Sequence, residues 1–174
     1  MKTIFLFLAL IPTISFGQNT VTSQQKLLPK NSYVKSTDHL TLEGAFELTR
    51  FAFESASELG KTVSIAILDA NGTIILMVRG HNVGPHNTEA SRKKAYTAIS
   101  TKTSSFELMQ KASADSTAAN LNTLSELLLL GGGVPIWKDE VIVGSIGVSG
   151  AGDGLNDHNV AKQAVEKLGF TIHK

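Results

Sequence analysis

A chain of 174 residues, 42% hydrophobic and 18% charged, is roughly the size of one globular domain and needs neither metal nor disulfide to build a core. It has no cysteine, which excludes disulfide scaffolds, zinc–cysteine sites, iron–sulfur clusters, thiolate-ligated haem and cysteine nucleophiles. Sixteen basic and 15 acidic residues leave a net charge of +1, with no basic stripe beyond Arg92, Lys93 and Lys94, so no nucleic-acid partner is expected.

The chain opens with a short positive start, an almost unbroken apolar run over residues 4–14, and the small residues Ser15 and Gly17 around Phe16. That order is the pattern of a cleaved secretory signal, read here as residues 1–17. The run contains Pro12 and stops short of the ~20 residues a membrane span needs, so no stable membrane anchor is expected. With no lipoprotein cysteine after it, the product is expected to be periplasmic or secreted. Residues 18–39 are polar and without period, and read as a flexible N-terminal arm.

A single domain is expected over residues 40–174. Leu42, Ala45, Phe46, Thr49, Ala52, Phe53, Ala56 and Leu59 recur at helical spacing and predict the buried stripe of a first helix, with Thr41 as N-cap and Gly60 as stop. The period then becomes two: residues 63–67 and 73–79 flank Asp69-Ala70-Asn71-Gly72, a hairpin signal. A loop with Gly84-Pro85 leads into a helix over 88–100, and Ser104 with Glu107 forms a capping box for a second helix ending near Ala112. Residues 113–125 read as loop with one helical turn. The runs 126–130, 134–137 and 141–148 give three strands, and a last helix begins near Asp157 with Val160, Ala161, Ala164, Val165 and Leu168 on its apolar stripe. Hairpin-linked strands in both halves predict an α+β domain with an antiparallel sheet.

Eight of the 15 glycines lie between Gly131 and Gly154. A dinucleotide loop is disfavoured because Leu155 stands where its third glycine belongs; a Walker loop lacks its lysine; a nucleophile elbow is missed by one position around Ser149. The reading that remains is close approach of another element, a subunit or a ligand to bare backbone. Gly132, Gly133 and Ser149 are therefore counted among candidate ligand contacts.

His81 and His86 stand five apart on the loop before the helix expected over 88–100, without a zinc-ligand spacing. Loop histidines are commonly solvated, but Pro85 stiffens the backbone beside His86, and Arg92, Lys93, Lys94 and Tyr96 follow at once. Imidazole ligates haem iron and cations pair with propionates. His86 is the expected axial ligand and sole metal-ligating candidate, with His81 nearby and Tyr96 as a phenolate substitute. Lys94, beside the buried Ala95, Ala98 and Ile99, and Arg92 are the expected propionate partners. Lys93 reads as part of a solvated face, and His39, His158 and His173 receive no role.

Taken in order, Leu40-Thr41-Leu42, Asp69-x-x-Gly72, Arg79, Lys94-Ala95-Tyr96-Thr97-Ala98, Gly131-Gly132-Gly133-Val134-Pro135-Ile136 and Gly144-Ser145-Ile146-Gly147-Val148-Ser149-Gly150 resemble the GlcG/HbpS-like haem-binding (haem-degrading) family over about residues 40–168. The resemblance implies a profilin-like five-stranded antiparallel sheet flanked by helices, assembly into dimers or larger rings, and haem as a cofactor. One departure is visible: the family's last helix usually opens with an acidic residue followed by Cys-Ala, whereas Asp157 is followed here by His158-Asn159. Two functions are consistent with these readings. One is a secreted haem-binding homo-oligomer that stores, buffers or relays haem or iron outside the cytoplasm. The other is a small-metabolite-binding accessory protein or enzyme whose pocket lies between the glycine loop and the Lys94 helix, with haem incidental.

Overall fold

The computed structural model describes residues 29–174. The expected signal segment 1–17 and the arm as far as residue 28 lie outside the described residues. The chain divides into a unit ending at Lys35 and a second unit, Ser36–Lys174. The described part of the first holds one short 3-10 turn, Lys30–Tyr33, after Pro29. All that follows concerns the second. Its opening residues, expected as the end of the arm, are tied to the body: Asp38 faces Lys138 at 3.5 Å, His39 faces Asp69 at 3.6 Å, and the Leu40 N–H donates to the Val143 carbonyl.

Helix α1, Leu42–Glu58, starts where the Thr41 hydroxyl accepts from the Gly44 N–H, and Gly60 beyond its end takes φ +66°. Ala45, Leu48, Thr49, Ala52, Ser55 and Ala56 form its buried face. Leu42 and Phe46, expected in the core, are 48% and 55% exposed, and Leu59 is exposed as well. The buried face is turned toward Leu48 and Ser55, whose hydroxyl donates to Gln163 Oε1, so Leu42 and Phe46 of the predicted stripe fall at its opposite margin.

Strands β1 (Ser64–Asp69) and β2 (Ile74–Arg79) form the expected hairpin. Asp69 organises the turn, its Oδ1 accepting from the Asn71 and Thr73 N–H groups while Gly72 adopts φ +80°. Helix α2 spans His86–Thr101 and α3 spans Ser105–Ala114, the latter capped by Ser104 as the sequence predicts. The segment expected as loop with a helical turn contains α4, Ser116–Ala119, followed by a 3-10 turn, Asn120–Thr123. Strands β3 (Gly133–Lys138) and β4 (Val141–Ser149) form a second hairpin, and α5 runs Gly154–Lys167. It starts three residues earlier than predicted because Asp153 caps it, accepting from the Asn156 N–H.

The sheet order is β2-β1-β4-β3, antiparallel throughout. Among the described residues it has four strands, not the five expected. The run 126–130 does not pair as a strand because side chains satisfy its backbone: Thr97 Oγ1 accepts from the Leu128 N–H and Ser105 Oγ donates to the Leu130 carbonyl. A single antiparallel bridge between Trp137 and Thr171 lies along the outer side of β3.

One face of the sheet carries Ile65, Ile67, Val134, Ile136, Ile146 and Val148, packed with α1 and α5 residues into the main core. The other face carries Ala66, Gly133, Ser145 and Gly147, with Leu68 beside Ala95 and Ile99, and receives α2. A Cβ added to Gly147 would stand 2.0 Å from the Ser91 carbonyl oxygen, and one added to Gly133 would stand 2.0 Å from that of Lys94. Two residues along β4 from Gly147, Ser145 is buried and donates to the Ala95 carbonyl at 2.9 Å. The helix backbone thus rests directly on strand backbone, which is the close approach that the glycine cluster was expected to serve.

This packing predicts unequal costs for two glycine substitutions. Gly60→Ala, with nothing within 4 Å of the new methyl but φ +66°, should cost about 1–2 kcal/mol for the left-handed backbone alone. Gly147→Ala must displace α2 and should exceed that, reaching or passing the roughly 1–3 kcal/mol typical of overpacking. Urea unfolding of the two variants compares them directly; equal costs would refute the packing argument.

Candidate functional site

The close seat of α2 places Lys94 where its side chain crosses the end of the sheet. Gly132, φ +127°, leaves the passage open: a Cβ there would lie 2.9 Å from Asp157 Cβ and 3.1 Å from Lys94 Cδ. The ammonium is buried, at 3% residue exposure, and donates to Asp157 Oδ2 at 2.7 Å, the Val148 carbonyl at 3.1 Å and Ser149 Oγ at 3.3 Å. Those are all three of its N–H groups. Asp157, on the first turn of α5 and 5% exposed, uses Oδ1 to accept from the Ala151 N–H at 2.8 Å. Ser149 in turn donates to Asn87 Oδ1 at 2.8 Å. One connected network therefore joins α2, the end of β4, the glycine loop and α5.

A cleft of about 660 Å³ opens beside this network, within the size range of small-molecule sites. His86, Asn87 and Ala90 of α2 form one wall, and Phe106 and Met109 of α3 with Leu130 another. Residues 150–155 close the third side. Gly150 and Gly152 have φ of +121° and +114°, conformations that L side chains rarely adopt. Gly131 keeps this loop and α3 together, since a Cβ on it would stand 2.1 Å from the Gly154 carbonyl and 2.8 Å from the Phe106 ring. The cleft thus has apolar walls and a polar floor.

Of the sequence candidates, the structure brings His86, Lys94 and Ser149 to this cleft. His86 is exposed at its rim, with its ring over Gly84, where a Cβ would lie 2.8 Å from His86 Cε1. Its imidazole makes no hydrogen bond to the described residues. Gly132 and Gly133 lie behind the cleft and serve the seat of α2 and the passage of Lys94. Three candidates lie outside the cleft lining. His81 is exposed on the preceding turn, where its carbonyl accepts from Thr62 Oγ1. Arg92 is held by Glu89 at 2.6 Å and Glu126 at 2.8 Å, and these carboxylates raise its already high pKa. Its charge is engaged by the segment around Glu126, alongside Lys93, which donates to the Ser125 carbonyl. Tyr96 lines a different cleft of about 420 Å³ with Leu121, Leu124 and Leu127. A helix turn of 3.6 residues puts Arg92 and Tyr96 on faces that Lys94 does not share.

Sequence reasoning passed over Asp157, Asn87 and Phe106. Asp157 had a readable signal, an acid in register with Val160, Ala161 and Ala164 on an apolar stripe, matching the lysine beside Ala95 and Ala98. His158, given no role, stacks on Phe106 with ring centroids 5.1 Å apart; its Nδ1 is buried without a partner, and burial pushes its pKa below the usual value. Among the described residues no group of three or more His, Cys, Asp or Glu side chains is placed to hold a bare metal ion.

The fold and the order of these segments have known counterparts. The chain belongs to the family described as "Haem degrading protein HbpS-like", which matches residues 40–166. HbpS of Streptomyces reticuli, solved as a double glutamate-to-aspartate mutant, is 30% identical with a TM-score of 0.73, and the match covers 92% of this chain and 99% of that one. A structure described as the PduOC:heme complex is 28% identical with a TM-score of 0.70, covering 78% of this chain and 99% of that one. The corrinoid adenosyltransferase PduO of Salmonella typhimurium is 28% identical over 148 residues, 84% of this chain and 44% of PduO. This chain therefore spans less than half the length of that curated relative.

The buried pair yields a stability prediction. Lys94→Met leaves the Asp157 carboxylate buried without its cation and should cost about 3–5 kcal/mol. Adding Asp157→Asn removes the stranded charge while an amide oxygen can still accept from Ala151, so the double variant should be more stable than Lys94→Met alone. Urea denaturation of both variants checks the order; a double variant less stable than the single one would show that the pair is not the binding element described.

Proposed function

We propose that this protein binds haem in the cleft between α2, α3 and the glycine loop, with His86 supplying the axial side chain, and that it stores, buffers or relays haem or iron outside the cytoplasm. The observation that carries the reading is the His86 imidazole, without a hydrogen bond to the described residues, at the rim of a cleft whose walls are Phe106, Met109, Leu130 and Leu155. That set fits a flat, apolar macrocycle with one nitrogen ligand on one of its faces, and it does not fit a bare metal ion. When bound, haem would supply iron-centred ligand exchange and redox chemistry. The chain's own residues supply an apolar enclosure, one imidazole and a rigid floor.

Membership of a haem-degrading family and the haem complex of the related PduOC structure support this reading. Export is supported by the leader pattern of residues 1–17, and no helix among the described residues is long and apolar enough to cross a membrane. We read the fold as profilin-like, its fifth strand reduced to the Trp137–Thr171 bridge. We also take the working form to be a homo-oligomer, since Leu42 and Phe46 leave an apolar margin on α1 that a second subunit can cover. Lys94 acts in this reading through Ser149 and the loop, its three donors being engaged already.

Hemin titration tests the proposal. The wild type should give a defined Soret band. His86→Ala should move its maximum and weaken binding by at least the roughly 10–100-fold that loss of an outer-shell partner costs a metal site. Tyr96→Phe, in the other cleft, should change neither. An unaltered spectrum and affinity in His86→Ala would overturn the assignment.

A further inference from the structure

The direction of the hydrogen bonds in the buried network fixes what the cleft floor offers a ligand. Lys94 has only donors, so Ser149 Oγ must accept from it at 3.3 Å. The one proton of the Ser149 hydroxyl is then directed elsewhere, and the group 2.8 Å away on Asn87 must be an acceptor, Oδ1. That leaves the Asn87 Nδ2 amino group without a partner among the described residues, on a side chain that lines the cleft beside His86. A cation whose three donors are already engaged thus sets the polarity of an amide whose own donor has no partner among the described residues.

Nothing in the immediate surroundings reverses that polarity. The Asp157 carboxylate is engaged by Lys94 and the Ala151 N–H, and Asp153 accepts from the Asn156 backbone and side-chain N–H groups. Asn87 also lies in the first turn of α2, whose Pro85 end carries no side-chain cap. Partial positive charge from that end adds to the same sign.

We infer that Asn87 is a specificity-determining residue: its Nδ2 donates to a carboxylate of the bound ligand, so that the cleft selects a flat apolar ligand bearing a carboxylate over its uncharged ester. The inference rests on the haem reading for the ligand's shape but not for its iron. Asn87 acts by contact with the ligand, and Lys94 and Ser149 are positioning residues that hold its amide in one orientation.

The test uses metal-free protoporphyrin IX and its dimethyl ester, which separate carboxylate recognition from iron ligation, with binding followed by fluorescence on the purified full chain. The wild type should prefer the free acid by on the order of tenfold or more, the strength of a hydrogen bond to a charged group. Asn87→Leu should bind acid and ester equally. Asn87→Asp retains an acceptor for Ser149, so the network and fold are kept, but it presents a carboxylate to the ligand and should favour the ester. Equal affinity of the wild type for the two forms, including binding of neither, overturns the inference, as does an acid preference that survives in Asn87→Asp. A wild type that prefers the acid yet gives no defined hemin spectrum overturns the haem reading alone.

Discussion

The seat of α2 on the sheet is the constraint from which the rest of the site follows. Helix and strands meet backbone to backbone over Gly133 and Gly147, and Ser145, further along β4, is pinned to the Ala95 carbonyl. A helix resting on larger side chains would stand further out, since a Cβ at either glycine already meets the α2 backbone at 2.0 Å. At the closer distance Lys94 can cross the sheet end past Gly132 and meet Asp157 of α5. The ion pair is a consequence of the glycines, and the glycine loop is held in turn by the ion pair through Ala151.

A buried ion pair is weak evidence of stability in itself, because desolvation offsets most of its Coulomb attraction. Its value here lies in connection. Two charges that neutralise each other fix Ser149, Ala151 and Asn87 in one arrangement, and the cleft floor becomes polar and rigid without carrying net charge. The apolar walls come from separate elements. Phe106 and Met109 arrive on α3, whose own position is set by Ser105, which accepts from the Gly133 N–H and donates to the Leu130 carbonyl. The same few glycines and serines therefore position the helix, the floor and the wall. The family resemblance rests on these segments, and the much longer PduO chain matches this protein over less than half its length.

Much of this was legible in the sequence where one residue decides locally. The caps at Thr41 and Ser104, the Asp69-to-Gly72 turn and the left-handed Gly60 need only short-range chemistry. The four core strands followed from period and punctuation. The run 126–130 did not, because an apolar run has no mark that says its backbone will be satisfied by Thr97 and Ser105 instead of a neighbouring strand. The exposure of Leu42 and Phe46 was hidden for a related reason: periodicity gives a broad apolar arc but not that the face finally buried is turned toward Leu48 and Ser55. In the site, Lys94 could be singled out from the apolar residues beside it, whereas its partner needed two helices to be placed together. His81, Arg92 and Tyr96 were grouped with His86 by nearness in sequence, and the helix turn and the Glu89 and Glu126 carboxylates direct them elsewhere.

The central claim is that haem enters the cleft under the glycine loop with its iron at His86. A crystal structure of the hemin-loaded protein, with anomalous data at the iron edge, tests it most directly. The account predicts one iron peak within bonding distance of a His86 ring nitrogen and the porphyrin between Phe106 and the loop at Gly150–Gly154. An iron peak in the Tyr96 cleft, or at a site away from His86, would contradict it.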